Sequence, residues 1–183
     1  MNWIGPCVIA ALMAVAAPAL AAPDSAKAFA AFAQVCGDTH ADYPAVLAVA
    51  DAGAWRATQI KADPFPGVTV AQSLSRDSSA GGSALTLHAW RGAKGAIQIS
   101  ECKVRVGKAK LAEIRAAAQT WLGFAPQDAT AKKATFMFTD EGGARKAVAQ
   151  ADRDAAAAGA GLQMMTVSGD SDGAIVAILK IKK

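Results

Sequence analysis

Few residues in this chain are equipped for chemistry. Two histidines, His40 and His88, and three cysteines, Cys7, Cys36 and Cys102, are its whole supply of imidazole and thiol groups in 183 residues. Gly169-Asp170-Ser171-Asp172-Gly173 has the form of a G-x-S-x-G nucleophile elbow, whose serine sits on a strand-to-helix turn with its histidine later in the chain. Here the following residues alternate as a strand and both histidines come earlier, so a hairpin turn rich in Asp and Gly is the better reading. The same stretch begins like a calcium loop, but Ala174 takes the next ligand position and no bidentate glutamate follows. Cys36, His40, His88 and Cys102 could form a zinc site only with both sulfurs as thiolates. No Gly-rich loop with a Lys-Ser/Thr pair opens a helix to hold a nucleotide. The sequence therefore predicts no catalytic residue, no metal and no cofactor.

The cysteines take their meaning from the N-terminus. Val8 to Ala17 is an apolar run of secretory length, followed by Pro18 and the small residues Ala19-Leu20-Ala21. This predicts a signal peptide over residues 1–21, cut after Ala21, and a single domain over 22–183. The n-region lacks Lys and Arg, and Trp3 to Ala22 is long enough to span a membrane, so an uncleaved anchor is the alternative. No later stretch reaches that length, and the expected location is periplasmic or secreted, with no membrane span after cleavage. Removal of Cys7 leaves Cys36 and Cys102 as an even pair in a compartment where disulfides persist, and they are expected to bond. The same oxidation argues against zinc.

These residues must be positioned by elements with few large side chains, because 47 of the 183 residues are alanine. Asp24 or Ser25 caps a predicted helix with Phe29, Phe32 and Cys36 on its apolar face, and Gly37 offers a left-handed exit. Asp42-Tyr43-Pro44 starts a second helix that ends near Gly53, completing an αα-hairpin. After a Pro/Gly loop at 62–67, strands are predicted from Val68, over Ala84 to Arg91 and over Ala96 to Val106, with Gly92 to Gly95 as the turn between the last two. A shift of apolar phase in the third of these, from Ile97 and Ile99 to Cys102, Val104 and Val106, signals a bulge or a strand buried on opposite faces at its two ends. Leu111 to Trp121 reads as a helix closed by Gly123-Phe124-Ala125-Pro126. Thr135 to Thr139 reads as a strand, Ala144 to Ala158 as an alanine-rich helix, and Leu162 to Ser168 and Ala174 to Lys182 as a terminal hairpin. The words Gly95-Ala96-Ile97 and Gly173-Ala174-Ile175 suit a decayed duplication, but shared turn chemistry is the preferred account. The fold class is α+β: an antiparallel sheet of about five to six strands with an N-terminal αα-hairpin and one or two further helices packed on it.

A formal charge of +4 is too modest to argue for nucleic acid. If the turn pairs Arg91 with Ala96, then Thr86, His88, Trp90, Ile97, Ile99 and Glu101 share one face, which is either covered core or an amphiphilic binding patch. The signal segment and the pattern Phe32-x3-Cys36-x2-Thr39-x2-Asp42-x3-Val46 resemble small exported proteins of Gram-negative bacteria, a resemblance that implies export and carries no activity or site residues. The leading expectation is a non-enzymatic domain that binds an envelope protein or a small ligand. A hydrolase using His88 or His40, and a structural envelope protein without a discrete ligand, are the alternatives.

Overall fold

The computed structural model describes residues 24–59, 64–159 and 161–183; the expected signal peptide and its cut lie outside them. The described chain is mixed α and β, with one antiparallel sheet of nine strands instead of five to six. The additional strands are short ones that alternation cannot register: β1 (Arg56–Ala57), β5 (Asp128–Ala129) and β7 (Ala144–Ala147). The long strands are β2 (Thr69–Ala80), β3 (Ser83–Lys94), β4 (Ile97–Gly107), β6 (Lys133–Glu141), β8 (Leu162–Asp170) and β9 (Gly173–Lys182). They lie in the order β1-β2-β3-β4-β9-β8-β6-β5, with β7 paired to β6.

Helix α1 (Ser25–Phe32) starts where the Asp24 carboxylate accepts from the backbone N–H groups of Ala26 and Lys27, both at 3.1 Å. It widens into a π-helical turn over Ala33–Gly37, and α2 follows as Tyr43–Ala52. Gly37 is not the left-handed exit; His40 and Ala41 take positive φ values of 53° and 52° instead. Glycine at 37 serves close packing, since a Cβ there would collide with the Trp121 indole. Helix α3 (Leu111–Leu122) ends as expected, with Gly123 left-handed at φ 81° and its N–H on the Gln119 carbonyl at 2.9 Å.

Two further sequence expectations are corrected. The β3–β4 turn is Gly95-Ala96, with Lys94 opposite Ile97 and Arg91 opposite Ser100, because β3 runs on through Gly92 to Lys94. The predicted helix from Ala144 to Ala158 is instead β7, a 3-10 turn over Gln150–Asp152 and a short α4 (Arg153–Ala158). Gly142 and Gly143, both at positive φ, fold the chain back onto β6, and ladder pairing outweighs alanine's local preference for helix. The phase shift in β4 marks burial on opposite faces, since its pairing is unbroken on both sides. The bulge lies in β2, between Val70 and Gln72.

Helices α1, α2 and α3 cover one face, called inner here, over a core that includes Phe32, Leu87, Val104, Ile114, Phe136 and Ile178. In the second half Trp121 and Phe124 pack edge-on or tilted against Phe138, each near 6.5 Å, supplying bulk that the alanines do not. Among the described residues, the outer face carries α4, over Met137 and Leu162, and the segment around Phe65. The paths α1-β2-β3-β4 and α3-β6-β8-β9 are alike, and β4 and β9 meet at the centre with Cys102 opposite Ile178. The turns flanked by Lys94 and Ile97 and by Asp170 and Gly173 correspond, so the repeated Gly-Ala-Ile words stand two residues out of step. Cys36 in the π-turn is bonded to Cys102 in β4, with a Cα–Cα distance of 5.4 Å. No helix among the described residues is long and apolar enough to cross a membrane.

Candidate functional site

The six residues singled out on the β3–β4 hairpin do share the outer face, through the shifted register, with Trp90 opposite Glu101 and Gly92 opposite Ile99. Trp90 is only 1% exposed. Its ring meets Phe65 edge-on at 6.2 Å, and its indole N–H donates to Glu101 Oε2 at 2.7 Å. The exposed aromatic on this face is therefore Phe65. Thr86, Ile97, Ile99 and Glu101 are half-buried.

His88 stands across the ladder from Ser75, its Nδ1 3.0 Å from the serine Oγ. Burial first, and then the charge of Lys103, hold the imidazole below the usual histidine range against an upward pull from Asp77. Neutral imidazole is the form required of a general base, but no carboxylate among the described residues hydrogen-bonds this ring to orient it. His40 lies on the other side of the sheet, in the turn before α2. Its Nδ1 is 3.4 Å from Asp140 Oδ2, a carboxylate 1% exposed that Arg145 also approaches at 3.5 Å. Arg145 further reaches Asp38 and lies 3.5 Å over the Trp121 ring, so this cluster locks the turn onto β6, β7 and α3. Ser171 sits in the β8–β9 turn with its N–H on Asp170 Oδ1 at 2.6 Å, as an Asp-rich turn would have it. The two histidines thus stand apart from each other and from Ser171. No cluster of three or more potential metal ligands occurs among the described residues.

A concavity that the sequence did not signal opens on the inner face, beside the start of α2. It has a volume of about 570 Å³, and Tyr43, Arg91, Ser100, Lys180 and Lys182 line it together with Asp42. Alternation places Arg91, Ser100, Lys180 and Lys182 on this face, beyond the core positions Ala89, Cys102 and Ile178. Asp42 stands at the N-cap position of α2 with no side-chain hydrogen bond to the first turn, so its carboxylate sits beside the positive end of the helix and in the groove lining. Arg91 lies 6.0 Å from the Tyr43 ring centroid. Lysines 180 and 182 were legible as alternating on a strand; that the strand lies against β4, within reach of Arg91, was not. A groove of this kind can hold and orient a small polar ligand. Comparison with protein-family models, with curated proteins and with solved structures finds no match for the chain.

Proposed function

We propose that the chain is an exported, non-enzymatic binding domain that takes a small ligand in the inner-face groove. The observation that carries this reading is the groove itself, about 570 Å³, within the usual range for small-molecule sites, and built on the central strands β3, β4 and β9. The Cys36–Cys102 disulfide supports both export and rigidity, since it ties the turn leading into α2 to the strand that carries Ser100. Neither histidine lines the groove, which favours holding a ligand over transforming it. The test is amide chemical-shift mapping of labelled protein with the small-molecule fraction of an envelope extract. Shifts are expected at Tyr43, Gln98, Ser100 and Lys180. Shifts confined to Thr86, Ile97 and Ile99 would move the site to the outer face, and turnover abolished by His88→Asn would replace binding with catalysis.

A further inference from the structure

Resting on the groove as a ligand site, we propose that its occupant is a phosphate-bearing small molecule, with the oxyanion seated over Ser100 between Arg91 and Lys180. Arg91 is the cross-strand neighbour of Ser100, and Ser100 of Lys180, so the three side chains stand abreast on one face. With neighbouring strands about 4.8 Å apart, the two cationic residues are rooted about 10 Å from each other with a hydroxyl midway. That span lets a guanidinium fork and an ammonium close on one tetrahedral oxyanion from opposite sides. Lys182 stands on the same face of β9, and Asp42 is the single carboxylate among the described residues of the lining, where positive charge predominates.

None of the three cations has an ion-pair partner among the described residues, whereas Arg76, Arg105 and Arg145 each have a carboxylate. A multiply charged phosphate suits two separated cations and a third nearby better than a single carboxylate, which one arginine can satisfy.

The experiment titrates the full chain with pyrophosphate at fixed ionic strength, chloride serving as the matched control, and follows the amides of Tyr43, Ser100 and Lys180. Saturable binding is expected, weakened at least about tenfold in Arg91→Ala and in Lys180→Ala and unchanged in Lys146→Ala, a lysine paired with Glu141 on β7. Equal affinity in Lys180→Ala, or no saturation, would overturn the proposal. Vesicles with and without an anionic phospholipid distinguish the sources: cosedimentation that pyrophosphate reverses identifies a headgroup, and binding of pyrophosphate alone identifies a free phosphate compound. If the envelope fraction shifts the groove amides while pyrophosphate does not, the phosphate assignment falls and the ligand site stands. If neither does, both fall.

Discussion

Trp90 packs a large ring beneath Phe65 and donates its one polar hydrogen to Glu101, so its truncation removes both area and a partner. Trp90→Ala is expected to cost about 3 to 5 kcal/mol in urea unfolding. Trp90→Phe keeps a ring beside Phe65 but loses the bond to Glu101 and should cost less; equal losses would show that a phenyl ring at this place contributes nothing. His88 gives a pH dependence of definite sign. Its proton affinity is lowered by folding, so the unfolded chain binds the proton more readily. The stability this neutral ring contributes is full above the ordinary histidine value of 6.5 and is lost as pH falls from there through the lower folded value. The urea midpoint should therefore decline from about pH 7 to 5 and flatten in His88→Asn; an unchanged slope in the variant would assign the proton elsewhere. These roles were only partly legible. Alternation placed Trp90 and His88 on one face, but Phe65 reaches Trp90 from a segment far from it in sequence, and local pattern carries no sign of that.

The end signals of α2 and α3 are legible in the sequence, whereas the exit read at Gly37 is not the one the chain uses. Helix α3 has a glycine in the left-handed region at its C-terminus, and α2 has its proline in the first turn. Ala144 to Ala158 was misread because helix propensity is local, whereas β7 exists through pairing with β6. The β3–β4 turn was placed early because Gly92 looked like turn chemistry; it is needed in the strand, where a side chain would strike the Thr69 carbonyl across the bulge of β2. At this scale the cap and the bridge can be tested. Asp24→Ala should lower the melting temperature, because the backbone N–H groups of Ala26 and Lys27 lose their acceptor; an unchanged melt would show that the cap contributes nothing. Cys102→Ala should cost about 4 kcal/mol, the loop entropy of cysteines separated by 66 residues. A loss much smaller than this would mean that the reduced chain keeps the π-turn on β4 by packing alone.

Across the whole molecule, the two like halves join through β4 and β9, and the candidate site exists only because they do. Arg91 comes from the first half and Lys180 from the second, brought together by a pairing between strands distant in sequence. No periodicity announces such a pairing, which is why the cysteines pointed to a bridge and the lysines did not point to a groove. The bridge also decides how the protein would respond to tension. Pulled from its two ends, the oxidised chain passes force from Cys36 directly to Cys102, so α2, β1, β2 and β3 lie off the loaded path. The 66-residue separation corresponds to about 220 to 240 Å of extended chain that stays hidden until the bond is reduced, a length that single-molecule extension with and without reductant would read directly.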